Sequence, residues 1–510
     1  MCGELTKTSS RIAIAAALGM TLGGFAMGAS PAKAADLGGD CCADLEERVA
    51  ELEATTVRKG NKKVSVTLSG WVVKYAQFWD DGVESNFYVG DKHTTLSSHF
   101  QISGSAQIAP GWSSGYTISV ETRGGSTVGD ANQFNDNTSQ GNSADLDILN
   151  NISVLLSYMW LKSDKWGTIN WGQLSQATDN VALLPDLSGT IIEANAVLFD
   201  GANFFLRANG SSKNAQGLSG LTWGGFVTCI EGGGGIGADC NGYPQNGVRY
   251  DSPTFGGFSM STGYAEDDVW DVAVKYAADW NSVKFSAAAG YTVSTDEGCN
   301  ASNVAGKGCT NAAFIGGGGA PYQGYRQEVD LFQVGASVMH VPSGLFVYGM
   351  YQREENQGTP FQNIVGLNKI DVASAANDTD VWYMKAGIKR TYTPLGATVI
   401  FGQYGEYHDQ YLGAGGNLCA GALNANESSS FCASNNYSAF VTGSEVRRYG
   451  VGVVQEIDAA AMHLFVNWEH LDLSADLVSV NGKCGIGKAC GVGLGFDDLD
   501  MFQLGGVIFF

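Results

Sequence analysis

The sequence predicts an all-β fold, a 16-stranded antiparallel transmembrane β-barrel preceded by a short coiled-coil helix. Three observations predict it. The last eleven residues alternate, with Phe502, Leu504, Gly506, Ile508 and Phe510 on one parity and Gln503, Gly505, Val507 and Phe509 on the other, which is a strand with two different faces. Segments of the same kind recur in hairpins to an even total, as closed barrels of this class require. The connections between them alternate short and long, so tight turns gather at one end of the molecule and polar loops at the other.

Composition agrees. Seventy glycines, 55 aromatic residues and nine prolines among 510 residues favour strands and turns over helices. The formal charge of −22 argues against a nucleic-acid partner.

At the amino terminus, Lys7 and Arg11 flank an apolar run, Ile12 to Ala29, followed by Ala32-Lys33-Ala34. This is the layout of a secretory signal cleaved after Ala34, so residues 1–34 are expected to be removed. Cleavage there would leave 26 basic and 50 acidic residues, a net charge of −24. No later segment approaches the roughly 18 apolar residues of a membrane helix. Residues 35–61 are expected to form a separate periplasmic segment. Asp44 and Glu47 mark a helix start. Leu45, Val49 and Leu52 are spaced four and three apart, a coiled-coil seam. So short a helix is marginal alone in water and needs neighbours, such as identical subunits; the bland alternative is a surface helix or tether.

From residue 62 to 510 the pattern is that of strands. They read as Val64–Trp79, Thr95–Ala109, Trp112–Arg123, Leu149–Lys162, Trp166–Gln173, Val248–Pro253, Phe258–Ala265, Trp270–Ala278, Ser282–Val293, Gln327–His340, Leu345–Arg353, Val381–Tyr392, Ala397–Tyr407, Val446–Glu456, Ala461–Leu471 and Leu499–Phe510. Pro110-Gly111, Pro342-Ser343-Gly344 and Pro394-Leu395-Gly396 are among the short turns. The long connections are 80–94, 124–148, 174–247, 294–326, 354–380, 408–445 and 472–498, with 266–269 tight.

Ten cysteines remain after Cys2 leaves with the signal, and eight form local couples: Cys229/Cys240, Cys299/Cys309, Cys419/Cys432 and Cys484/Cys490. All four couples lie in long connections. In a secreted chain, local couples read as disulfides, and neighbour pairing is the expectation. Cys41 and Cys42 are left as inter-subunit bonds or free thiols. Metal sites need thiols or histidines more closely clustered than these, so no metal and no cofactor are expected.

Strand faces agree with a barrel. Trp270, Val272, Val274 and Tyr276 oppose Asp271, Ala273 and Lys275, and Leu464, Val466 and Trp468 oppose His463, Phe465, Asn467 and Glu469. An apolar face on every strand needs a continuous apolar partner, and a polar face implies a wet interior.

The aromatic carboxy terminus resembles that of bacterial outer-membrane barrels. More specifically, the chain resembles the alphaproteobacterial (Rhizobiales-type) porin family. The likeness rests on Cys41 through Ala54, Gly70-Trp71, Ala177-Thr-Asp-Asn180 with Asp186-Leu-Ser-Gly189, Asn203-Phe-Phe-Leu-Arg207, and Val248 through Phe255 running on to Lys275. It implies a homotrimer in the cell outer membrane, in contact with membrane lipid and lipopolysaccharide, for passive passage of ions and small hydrophilic solutes. It also implies that the loop 174–247 folds into the channel and narrows it. That loop brings the carboxylates Asp179, Asp186 and Glu193. By parity the inward cations are Arg123, Arg249, Lys275, Lys284, Lys385, Lys389 and Arg448. Carboxylates facing cations across a constriction select by charge, although any one of these residues also fits a solvated wall charge. Some relatives look to be linked to peptidoglycan through a mature Ala-Asp terminus, which Ala35-Asp36 would match.

Two function classes compete: a diffusion channel, and a surface-binding barrel whose stapled loops recognise a ligand or partner. An enzyme is not expected. His408-Asp409 lacks a matching nucleophile, and the glycine runs Gly232–Gly235 and Gly316–Gly319 lack the Lys-Ser/Thr of a phosphate loop.

Overall fold

The structure, a computed structural model, describes residues 64–92, 96–122, 131–133, 152–197, 200–207, 222–227, 244–266, 268–297, 327–356, 378–410, 439–479, 490–492 and 495–510. Several sequence expectations fall outside them. The signal, Ala35-Asp36, Cys41, Cys42 and the Leu45, Val49 and Leu52 seam are outside, as is Arg123. So are Cys229 and Cys240, Cys299 and Cys309, Cys419 and Cys432, and Cys484. Of the eight coupled cysteines only Cys490 is described, through its backbone in a short strand. The four pairings therefore stay expectations.

One antiparallel sheet closes on itself. Its strands are β1 (Ser65–Asp80), β2 (Ser85–Gly90), β3 (His99–Ala109), β4 (Trp112–Thr122), β5 (Ile152–Ser163), β6 (Gly167–Leu174), β7 (Gln245–Asp251), β8 (Phe258–Ala265), β9 (Val269–Trp280), β10 (Val283–Glu297), β11 (Gln327–His340), β12 (Leu345–Asn356), β13 (Asp378–Thr393), β14 (Gly396–His408), β15 (Ala439–Ile457), β16 (Met462–Ser479), β17 (Cys490–Val492) and β18 (Leu499–Phe509). These eighteen segments make sixteen staves. β2 and β3 pair with the upper and lower halves of β1, and β17 and β18 pair in the same way with β16. β1 pairs with β18 from Trp71↔Phe509 to Asp80↔Asp500. Gly70 and Phe510 exchange backbone bonds of 2.9 and 3.1 Å at the rim. Closure removes the free edge that a membrane-spanning sheet cannot leave unpaired.

Period two decides which side each residue faces. Leu464, Val466, Leu504 and Ile508 are exposed on the outside, whereas Phe465, Asn467, Gln503 and Val507 are buried within. The tight turns follow from local chemistry. Asn281 and Ser282 both take positive φ, 43° and 83°, as a two-residue hairpin turn matched to strand twist requires. Gly111 and Gly344 take φ of 76° and 74° at their turns.

Several expected boundaries shift by three or four residues, and the largest changes are at 80–94 and at the outer ends of β15 and β16. The stretch 80–94 is not a long loop: Asp81 and Glu84 close a tight turn (Asp81 N to Glu84 O, 3.1 Å) and β2 returns at once. β15 and β16 run further out than the apolar pattern shows, starting at Ala439 rather than Val446 and ending at Ser479 rather than Leu471. Beyond the lipid an outward residue need not be apolar, so the alternation fades while the ladder continues.

Candidate functional site inside the barrel

The segment after β6, residues 175–197 and 200–207, lies inside the barrel against its inner wall. Its turns include Asn180, Gly189 and Gly201 at φ 55°, 77° and 78°. Apolar residues seat it: Val181, Ala182, Val197, Phe204 and Leu206 are buried, packed in one cluster or its neighbour with wall residues such as Trp79, Tyr348 and Tyr383.

Polar contacts then follow the wall from β7 round to β1. Arg249 on β7 donates to the Ser175 carbonyl (2.7 Å) and pairs with Asp251 (3.2 Å). Thr178 N donates to Asp271 on β9 at 2.7 Å. On β10 and β11 the wall gives way to the loop. A Cβ at Gly335 would sit 2.0 Å from the Ala182 carbonyl oxygen, and one at Gly290 2.6 Å from Thr178. Tyr348 on β12 donates to the same Ala182 carbonyl at 2.7 Å.

Next come the ion pairs. Lys385 on β13 lies 2.6 Å from Asp186, both side chains buried, and also donates to Thr190 and to the Ala194 carbonyl. Lys389 pairs with Glu456 at 2.5 Å and reaches the Ser188 carbonyl. Glu193 meets His463 on β16 at 2.7 Å. Arg448 on β15 donates to the Asn195 carbonyl (2.8 Å) and pairs with Glu469 (2.6 Å).

Asp200 closes the circuit. It accepts from Lys92 at 2.5 Å, from Gln503 at 2.9 Å and from the Tyr75 hydroxyl, and Lys92 stands 4.6 Å from the Tyr75 ring. Burial by itself would raise the Asp200 carboxyl. The Lys92 charge and the three donated bonds outweigh it and hold the group below its ordinary range. Arg207, fully buried, pairs with Asp81 at 2.7 Å and with Glu84.

The sequence-derived candidates are thus distributed as follows. Asp186 and Glu193 contact Lys385 and His463, while Asp179 is buried and accepts from Asn180 at 2.7 Å. Arg249, Lys275, Lys385, Lys389 and Arg448 take inward positions by register with one another's strands. Lys284 is inward but exposed beside the short turns. Lys92, Asp200, Arg207 and His463 were missed as contact residues. His463 sits on the polar parity and was findable. Lys92 and Asp200 lie in irregular chain, where no period applies. On the outer face Glu406, His408 and Glu445 converge. Their groups are already engaged: His408 with Asp380 (2.9 Å) and Glu406 (3.3 Å), and Glu445 with Arg447 (3.1 Å). Asp409 accepts from Ser444 N instead of from His408.

The arrangement is a polar-walled interior carrying an internal loop whose carboxylates are matched by wall cations. No curated protein matches the sequence. Among solved structures, the anion-selective porin from Comamonas acidovorans is similar at 17% identity and a TM-score of 0.47, with 88% of this chain and 100% of that chain covered. OmpT of Vibrio cholerae is similar at 10% identity and 0.44, covering 89% and 99%. Salmonella typhi OmpF, in complex with daunomycin, is similar at 13% and 0.42, covering 89% and 99%. A family model described as Gram-negative porin matches residues 13–417.

Proposed function

Because the chain belongs to the Gram-negative porin family, and so forms an outer-membrane channel, we propose that the width and charge preference of this channel are set by residues 175–207. The observation that carries this reading is the run of contacts from Arg249 to Asp200. It holds the loop on the β7-to-β1 side of the wall. The inward residues of β3 to β6, among them Gln101, Thr117, Ser119 and Asn170, belong to the opposite arc. Ions and small hydrophilic solutes pass by diffusion, with no binding step required.

Finer features belong to the same reading. The motif likeness favours an alphaproteobacterial-type member working as a homotrimer against lipid and lipopolysaccharide. The Leu45, Val49 and Leu52 seam supplies subunit contacts in the periplasm. Ala35-Asp36, exposed by cleavage after Ala34, is the candidate peptidoglycan link. The couples Cys229–Cys240, Cys299–Cys309, Cys419–Cys432 and Cys484–Cys490 staple the long external loops.

Planar-bilayer recording of the purified protein tests the reading. Stepwise conductance that tracks bulk electrolyte conductivity is expected, and Gly335→Ala should change the step size. A barrel that inserts without conducting would overturn it in favour of a surface-binding role.

A further inference from the structure

Outside the channel, at the long-loop end of β13 to β15, the register gathers a second polar cluster. His408 on β14 lies directly opposite Asp380 on β13 and Glu445 on β15, and Glu406 stands two residues back along the same face of β14. That face also carries Ile400, which is exposed on the outside. Residues paired on one face of a sheet hold their Cβ atoms about 5 Å apart. Tyr404 and Tyr449 stack one step nearer the short-turn end, with centroids 6.4 Å apart, and Trp382 packs against Tyr404. Such a row of rings marks the edge of the apolar band. The cluster therefore stands beyond the lipid tails, where hydrated ions reach it.

The contacts within it orient a ligand set. Nδ1 of His408 lies 2.9 Å from Asp380. With Nδ1 donating its proton there, Nε2 is left with a lone pair on the side of Glu406. Nε2 stands 3.3 Å from Glu406, and one ligand atom each from Glu406, His408 and Glu445 lies within 4.8 Å of the others. Two ligands each about 2.1 Å from a tetrahedral zinc stand about 3.4 Å apart, so His408 and Glu406 already have the separation of two corners. Glu406 and Glu445 keep lone pairs after their contacts with Trp382, Tyr404 and Arg447, since a carboxylate has about four. Charge points the same way. Arg447 is shared between Glu445 and Asp472, whereas Asp380 and Glu406 meet His408 and, among the described residues, no lysine or arginine. Spacing in the chain conceals the set, because register rather than nearness in sequence brings Glu445 to His408.

We propose that Glu406, His408 and Glu445 bind one zinc-type divalent cation, with Asp380 orienting the imidazole and water taking the fourth position. One imidazole with two carboxylates suits Zn2+, whereas Mg2+ and Ca2+ favour oxygen ligands throughout. The metal would clip β14 to β15 near their outer ends, across the base of the connection 409–438. The site uses neither the internal loop nor the pore, so it stands or falls apart from the channel reading.

Zinc binding by the purified, untagged full chain tests this. The protein is stripped with a chelator, titrated with Zn2+ near neutral pH and passed through gel filtration, and the metal that stays with it is measured by elemental analysis. The wild type should retain one more zinc per chain than His408→Ala or Glu445→Gln, a difference that cancels any zinc held by cysteines. Asp380→Asn keeps every ligand and should weaken this zinc at least tenfold. Mg2+ in large excess should not displace it. Equal zinc in the wild type and both ligand variants would overturn the proposal, as would displacement by Mg2+, which would mark an ordinary acidic patch. Each variant is first checked for the barrel circular dichroism of the wild type. Should both ligand variants misfold, Co2+ bound to the wild type decides. Visible bands of a four-coordinate nitrogen and oxygen site would support the proposal, and thiolate bands alone, or none, would overturn it.

Discussion

A single buried carboxylate shows how the internal loop is held. Asp200 has Lys92, Gln503 and Tyr75 around it. Its folded affinity for protons is depressed, so its contribution is present above the ordinary carboxylate value of 3.8 and is lost as the pH falls through the lower folded value. Acidification below about pH 3.8 should therefore loosen this end of the loop, seen as rising open-channel noise. Lys92→Met leaves a buried anion unpaired, which costs about 3–5 kcal/mol. It should give noisy, larger steps at neutral pH. Quiet wild-type steps from that variant would show that Lys92 does not pin the loop. Part of this network was legible in the sequence. Alternation along β13 and β15 is enough to place Lys385 and Arg448 on the polar side. Nothing periodic surrounds Lys92, whose role depends on where two irregular segments cross.

The loop crosses β10 and β11 at the glycines Gly290 and Gly335. At Gly335 an added methyl would strike the Ala182 carbonyl oxygen, a backbone atom, at 2.0 Å. Gly335→Ala must therefore push the loop off the wall rather than rotate a side chain. The expected outcome is a fully folded barrel whose conductance differs from wild type by more than about a fifth, since strand pairing on both sides of Gly335 is untouched. An identical conductance would mean that the loop does not set the opening. Ser98→Ala removes two bonds that replace a strand rung and should lower barrel stability by about 1–3 kcal/mol in urea unfolding. The staves themselves were legible because each carries an apolar outward set. The two broken staves were not, because β2 and β17 are short and the outer ends of strands face no lipid. The cysteine couples expected in the long loops make a separate prediction at this scale. Peptide mapping without reductant should recover Cys229–Cys240, Cys299–Cys309, Cys419–Cys432 and Cys484–Cys490 as linked pairs, each worth about 2–3 kcal/mol at most through loop entropy. Free thiols at these positions would reject the pairing.

For the whole molecule the question is which sign of charge the channel favours. The chain carries 51 acidic and 29 basic residues, and that excess draws cations towards either mouth. Inside, the balance is closer. Asp186 and Glu193 are already matched by Lys385 and His463, so the local field is a set of dipoles rather than a ring of free anions. A molecule built this way should prefer cations weakly. The preference should fade between 0.1 M and 1 M salt as the screening length falls from about 10 Å to about 3 Å. Neutralising Asp179, Asp186 and Glu193 together removes three negative charges and leaves Lys385 without its carboxylate partner. Reversal potentials should then move towards anions by more than any single replacement achieves. Asp186→Asn alone should act chiefly on noise, since its partner Lys385 still holds Thr190 and the Ala194 carbonyl. Reversal potentials that ignore the triple variant would place the selective region away from residues 175–207, on the β3-to-β6 arc or in the external loops.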